Sequence, residues 1–407
     1  MFEVGIGVVV FTSIVTTLVL LVVGAGALLA PAGDVAIRLN SDRLLSARVG
    51  RKLLPVLAEQ GIHLPSACGG RGTCGQCVVT VGEGADAPLA VEASVLRSRE
   101  LAAGARLACQ LTLRHDLAIL VPVEALGVVK LVCTVRSTRS VATLMKELVL
   151  ELPAGEELDF RAGAFVQVTC PPHRTTFASL DIGAQYRLEW ERLDLWRHAV
   201  TSVSETTRAY SIASPPGEAH SLRLVVRIAP PPPGAPDTVP AGVVSSWLFG
   251  LKRGDSIEIS GPHGTFAIAD SDREMVFVGG GAGMAPIRSM IIDQLERVRT
   301  TRKMSFWYGA RNSRELFYEE DFDRLQAEHE NFQWTVALSE PTAAEEWPGD
   351  VGFVHEVLHD RYLAGHPAPD ACDYYLCGPP MMIKAVLRLL ARLGVERGSI
   401  RFDDFGT

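Results

Sequence analysis

A basic surface is the first thing this sequence lacks. Lys and Arg number 39 against 47 Asp and Glu, a net charge of −8, and no extended basic tract occurs. That excludes a general nucleic-acid binder, whose affinity rests on cations laid along phosphates. A second C-x2-C pair is also missing: only Cys74 and Cys77 have that spacing, whereas structural zinc ordinarily takes two separated pairs. Residues 4–29 contain no charged side chain at all. A helix made from them offers no ion or proton relay of its own.

What is present is enough chain, 407 residues, for about three modules. At about 1.5 Å per residue, the apolar run 4–29 exceeds a ~30 Å hydrocarbon core, which predicts a single transmembrane helix. A cleaved signal peptide would open on basic residues and carry a shorter apolar stretch, whereas Glu3 is the sole early charge. Arg38, Arg43, Arg48, Arg51 and Lys52 follow the run. The positive-inside rule therefore places the bulk of the chain in the cytoplasm.

Residues 68–77 read C-G-G-R-G-T-C-G-Q-C, three thiols at C-x5-C-x2-C spacing, and R-L-A-C-Q supplies a fourth. Cys68, Cys74, Cys77 and Cys109 are the four thiolates that a 2Fe-2S cluster requires, one residue longer than the plant-type spacing. Zinc and a pair of disulfides are the alternatives. The lone Cys109 weighs against zinc, and the cytosolic look of the remaining chain weighs against disulfides. Glycines 69, 70, 72 and 75 let the loop wrap tightly. Around it, residues 35–39, 45–49, 77–81, 107–113 and 117–121 read as strands and 53–60 and 93–102 as helices, with Gly61 as a C-cap. Residues 33–126 are similar to a ferredoxin domain of the β-grasp type. Cys133, Cys170 and Cys372 read as small buried hydrophobes.

From Lys130 the pattern turns to β, with strands at 131–135, 143–150 and 164–168, as in an antiparallel β-barrel. R-A-Y-S at 208–211 follows. Arg208 suits a bidentate clamp on pyrophosphate, Tyr210 a flat contact with an isoalloxazine ring, and Ser211 a hydrogen bond near the reactive flavin nitrogen. G-V-V-S-S-W-L opens at Gly242, and its helix start, with Ser245 and Ser246, is a candidate phosphate seat. With Gly254-Asp255 and G-P-H-G-T-F at 261–266, the ordered set resembles the flavin domain of the ferredoxin-NADP reductase superfamily. Residues 173–207, with Trp190 and Trp196, look like an insertion. Surface covering and a docking face for partners are its two readings.

Residues 275–278 form a buried-strand run before G-G-G-A-G-M-A-P and a helical stretch at 287–298. Strand, glycine turn and helix make a dinucleotide cradle, so Gly279, Gly280, Gly281, Gly283 and Met284 are cofactor-binding candidates. Strands at 305–308 and 374–376 extend a Rossmann-like sheet, and the last ends in C-G-P-P-M-M. Cys377, Gly378 and Pro379 match the superfamily's position beside the nicotinamide, and Phe405 matches its C-terminal aromatic over the flavin. Arg311 and Arg314 are either partners for an NADP 2′-phosphate or solvated surface arginines.

The full order resembles the family of F subunits of the bacterial sodium-translocating NADH:quinone oxidoreductases. The expected architecture is multidomain, α/β plus β: anchor 1–32, 2Fe-2S domain 33–126, FAD barrel 127–268 and NADH domain 269–407. The resemblance implies NADH as donor, FAD and 2Fe-2S as cofactors, a bacterial inner membrane location, and onward transfer to partner membrane subunits that reduce ubiquinone and move sodium. Two other readings stay open: a reductase component of a multicomponent oxygenase, and a membrane-anchored electron carrier without NADH oxidation.

Overall fold

The computed structural model describes residues 11–19, 33–40, 43–66, 68–82, 84, 86–122, 128–218, 220–232, 234–236, 239–342 and 346–404. They fall into two compact units, Met1–Leu64 with Gly70–Pro122, and Pro65–Gly69 with Val123–Thr407. Of the expected membrane span, residues 11–19 are described; they are helical, with Phe11, Ile14 and Leu18 exposed. No helix among the described residues is long and apolar enough to cross a membrane. The remainder of that span lies outside the described residues.

In the first unit the alternating runs become β1 (Asp34–Leu39) and β2 (Arg43–Arg48), an antiparallel pair. With β3 (Val78–Val81), β4 (Ala105–Leu107) and β5 (Leu117–Leu120) they form one sheet in the order β2-β1-β5-β3-β4. Helix Leu53–Glu59 buries Leu53, Val56 and Leu57, an i, i+3, i+4 set that faces the core. Each such side chain contributes on the order of 2 kcal/mol by leaving water.

Two expectations need correction. The single helix at 93–102 is two, Ala90–Val95 and Ser98–Ala102. Arg97 is extended and its N–H donates to the Glu100 carboxylate at 2.8 Å, so a new helix start is capped where the old one ends. The strand expected at 107–113 stops at Leu107, because Gln110 and Leu111 both donate back to the Leu107 carbonyl and turn the chain at Cys109.

The second unit opens with a six-stranded antiparallel sheet. Its strands are β6 (Val129–Ala142), β7 (Met145–Glu151), β8 (Phe165–Cys170), β11 (Thr206–Ser211), β12 (Ser221–Arg227) and β13 (Ser256–His263), ordered β11-β8-β13-β6-β7-β12. The outer strands meet just past Ser211, where Ile212 bridges Leu224 and Ala213 N–H donates to the Arg223 carbonyl at 2.7 Å. That contact curls the sheet into a barrel around Val135, Leu148, Val166 and Leu224, all fully buried.

Within the insertion, hairpin β9 (His173–Thr176) with β10 (Ala199–Ser202) and helix Ala184–Arg192 cover one side of the barrel. Trp190 is fully buried and its indole donates to the Thr143 carbonyl at 2.6 Å. Trp190 therefore belongs to the covering role.

A second six-stranded sheet is wholly parallel, in the order β17-β16-β15-β14-β18-β19. It comprises β14 (Met275–Gly280), β15 (Met304–Ala310), β16 (Phe332–Leu338), β17 (Asp350–Val351), β18 (Asp373–Gly378) and β19 (Ile400–Asp404). Strand order reverses between β14 and β18, which opens a crevice at their carboxyl ends. The helix expected from Ile287 begins at Met284 and runs to Ile292, followed by a wider turn at Asp293–Arg297. Pro286 lies in its first turn, where no N–H is needed.

Candidate functional site

The cysteine loop places three of its four thiols together in the first unit. Cys77 hydrogen bonds Cys109 with Cys74 nearby; that bond and then burial push the Cys77 thiol far up. Packed thiols resist ionisation until a cation joins them, which is the chemistry of an iron-binding set. Gln110 donates to Cys109 Sγ at 3.4 Å. Gly75 has φ +68, and a Cβ there would come within 2.6 Å of Val95, so a tight glycine turn is required. Cys68 lies in Pro65–Gly69 and is half-buried. All eight cysteines are free thiols, and burial holds Cys133, Cys170 and Cys372 up at about 12, about 12 and about 11.

On β11, Arg208 and Tyr210 stand two residues apart and so share a face, opposite Val168 and Val166 of β8. Ser211 ends the strand and is buried. Arg208 Nη1 donates to the Thr207 carbonyl at 2.7 Å, and Tyr210 packs on the barrel core. Gly242 caps helix Val243–Gly250. The hydroxyls of Ser245 and Ser246 both donate to the Gly242 carbonyl, at 3.2 and 2.7 Å, so they shape the helix start from within.

The two nucleotide motifs converge. Gly279 and Gly280 end β14, and Gly281–Gly283 turn into helix Met284–Ile292. β18 runs alongside with Cys377 level with Gly279. A Cβ on Gly283 would lie 2.0 Å from the Cys377 carbonyl, and one on Gly378 would lie 2.8 Å from the Gly280 carbonyl. Only glycine allows that approach. Pro379 precedes helix Pro380–Arg392, and Met284 and Cys377 are fully buried. Phe405 lies outside the described residues. Tyr308, which the sequence reading passed over, donates to the Gly281 carbonyl at 3.3 Å and steadies the turn.

Neither candidate arginine is solvated alone. Glu315 takes Arg311 Nε at 2.7 Å and also Nη2, and Arg314 lies 3.7 Å from Glu189. At the opposite end of the parallel sheet, Glu274, His366 and Cys372 gather within 4.8 Å. Ala368 N–H donates to His366 Nδ1, which leaves the proton on Nε2 facing Glu274, and the Lys303 ammonium sits 3.5 Å from the same carboxylate. These contacts tie the three side chains to Ala368 and Lys303 in one hydrogen-bonded network.

Sequence reading also missed a polar set between barrel and nucleotide sheet: the buried Glu147, Arg288, Ser289 and Tyr318 with the half-buried Arg223. The available signal was charge inside apolar runs, K-E within M-K-E-L-V-L and R-S within A-P-I-R-S-M-I-I. Charged residues rarely bury without paired partners, so such interruptions mark a network.

A four-cysteine loop domain, an antiparallel barrel carrying R-x-Y-S and a parallel sheet with a glycine turn define the class: a flavin- and iron-sulfur-dependent nicotinamide oxidoreductase. Residues 38–114 match the 2Fe-2S iron-sulfur cluster binding domain family, 195–268 the oxidoreductase FAD-binding domain and 277–388 the oxidoreductase NAD-binding domain. A protein of Methylococcus capsulatus, named as the F subunit of a Na(+)-translocating NADH-quinone reductase, is 50% identical over 406 residues, covering 100% of both chains. One named in the same way from Pseudomonas paraeruginosa is also 50% identical, covering 100% of this chain and 99% of its own. Among solved structures, an Amycolatopsis cytochrome P450 reductase covers 91% of this chain and 98% of its own at TM-score 0.65 and 26% identity. The chain belongs to the family of Na(+)-translocating NADH-quinone reductase F subunits. It is the NADH-driven electron-input subunit, with FAD and 2Fe-2S as its cofactors.

Proposed function

We propose that this chain admits electrons from NADH to a sodium-pumping NADH:ubiquinone reductase in the bacterial inner membrane, held there by one helix from residues 4–29, with its catalytic domains in the cytoplasm. Domain limits of 1–32, 33–126, 127–268 and 269–407 fit that division. The observation that carries the reading is the convergence of Gly283 on Cys377 beside the R-A-Y-S strand's barrel. End-to-end likeness to the F subunits supports the same assignment over the oxygenase-reductase alternative, which the P450 reductase likeness favours on architecture.

Bound flavin supplies two-electron acceptance from a hydride donor and one-electron release to an iron-sulfur centre. The residues do the positioning. Arg208 neutralises flavin pyrophosphate, Tyr210 lies on the ring, and Gly242 with Ser245 and Ser246 shapes a helix start towards phosphate. Gly279, Gly280, Gly281, Gly283 and Met284 cradle the NADH pyrophosphate, while Gly378 and Pro379 turn the chain beneath the nicotinamide. Ser211 and Cys377 line the hydride path, and Phe405 shields the flavin's open face. Cys68, Cys74, Cys77 and Cys109 bind the cluster.

The test is NADH-driven quinone reduction in membranes with and without this chain, at low and high sodium. Activity that needs the chain and rises with sodium is expected. Quinone reduction that ignores the chain, while the purified protein still oxidises NADH, points to the oxygenase-type acceptor instead.

A further inference from the structure

Helix Met284–Ile292 starts at the glycine turn, and its second half carries two polar residues into the protein interior. Arg288 is 6% exposed and Ser289 fully buried. Arg288 Nη1 donates to the Ala213 carbonyl at 2.8 Å, and Ser289 Oγ donates to the Ser214 carbonyl at 2.8 Å. Ala213 and Ser214 directly follow the R-A-Y-S-I segment. Two consecutive side chains of the nucleotide helix thus grip two consecutive carbonyls beside the flavin motif.

Both sides of that grip are themselves fixed. Arg288 is held by Asp321 at 2.7 Å and stacks 4.7 Å over the Tyr318 ring. Tyr318 donates to Glu147, and Glu147 accepts Arg223 Nη1 at 2.8 Å. Backbone N–H groups of Ala213 and Arg223 pair with the Arg223 carbonyl and the Ser214 hydroxyl, at 2.7 and 3.1 Å. The contacts run from Arg288 through Tyr318, Glu147 and Arg223 to Ala213 and back to Arg288. A closed ring of this kind resists both sliding and rotation of the helix, because each member is braced from two directions.

We infer that Arg288 and Ser289 are positioning residues for hydride delivery, setting the distance between the nucleotide cradle and the flavin seat. This rests on the seats proposed above, at Arg208–Ser211 and Gly279–Met284. Hydride transfer needs its reacting atoms within a few tenths of an ångström of a productive spacing, so a slack grip slows the transfer while leaving each cofactor bound.

The test uses the full chain with FAD and cluster in place, comparing wild type with Arg288→Met and Ser289→Ala. Single-turnover flavin reduction by NADH should slow about 10-fold to 100-fold in the first and about threefold in the second. FAD content and NAD+ Kd should stay within about twofold, and 4-deuterated NADH should show a larger isotope effect. Hydrogen exchange, read without turnover, should quicken at the amides of residues 212–214 and 287–292 in Arg288→Met while β15 keeps its protection. Unchanged reduction in both variants overturns the inference. So does a slowing matched by lost FAD or weakened NAD+ binding, which a merely structural role would give. Ser289→Ala removes one hydroxyl and keeps the test readable if Arg288→Met does not fold. An error in the seats themselves would show separately, as full FAD retention in Tyr210→Ala.

Discussion

Glu147 and Tyr318 meet through a 2.5 Å hydrogen bond, one from barrel strand β7 and the other from the residue before helix Glu319–Glu328. Tyr318 adopts φ +64, a left-handed backbone that tyrosine rarely takes, and this turn aims its ring between Arg288 and Glu147. Burial alone would raise the Glu147 carboxyl, but donation from Arg139, Tyr318 and Arg223 outweighs it and holds the group at about 2.

A folded-state value below the ordinary 4.5 means that the unfolded chain takes up this proton first as the pH drops. The stabilisation is complete above about 4.5 and is lost as pH falls towards 2, a swing of about 3 kcal/mol for a carboxylate this buried. Glu147→Gln should abolish that part of the acid sensitivity. Urea unfolding of parent and variant across this window checks it; parallel losses in the two would refute the assignment.

Valine at position 283 should abolish NADH binding and lower stability, since its Cβ would sit 2.0 Å from the Cys377 carbonyl. A cost of roughly 3 kcal/mol or more is expected where backbone has to move. Calorimetric titration with NAD+ measures the first effect and the thermal midpoint the second.

That glycine also shows what kind of information a sequence carries. Gly283, Cys77 and Cys109 were legible because steric and valence demands fix residue type locally. The break at Arg97 was also local, yet it needed the Glu100 capping bond to be weighed against helical periodicity. Arg288 was not legible: its acceptor lies 75 residues away, and Tyr318 reaches a partner 171 residues distant. Periodicity sees such residues only as charges that spoil an apolar face. Lys146 is the same case, buried to meet the Phe249 and Asp181 carbonyls and pulled down to about 8 by burial.

Cys109→Ala removes one of the thiols that meet at Cys77 and should prevent cluster assembly. Flavin reduction by NADH should stay within about twofold of the parent, because the altered residue belongs to the other compact unit. Electron exit should vanish. Iron content and stopped-flow flavin bleaching are the measurements, and normal quinone reduction by this variant would break the proposed circuit.

Tyr210→Ala should purify with less FAD. The ring shares a strand face with Arg208, and losing an aromatic stacking surface costs on the order of 1 kcal/mol or more, about a fivefold weaker hold or worse. Flavin absorbance per mole of protein decides it, with undiminished content ruling out stacking.

Arg311 and Glu315 bear on the choice between NADH and NADPH. Arg311 follows β15, the second strand of the nucleotide sheet, where the adenosine ribose of a dinucleotide is ordinarily read. Glu315 accepts from its backbone N–H at 3.2 Å and from its guanidinium, so the cation is already neutralised and an anion faces any approaching phosphate. Glu315→Ala should free the arginine and raise kcat/KM for NADPH relative to NADH about 10-fold, the ratio that ~1.4 kcal/mol of new phosphate contact provides. Steady-state rates with both nucleotides and an artificial acceptor measure it. An unchanged ratio would place the ribose away from Arg311, and a fall for both nucleotides would assign Glu315 to the shape of the loop after β15 rather than to selectivity.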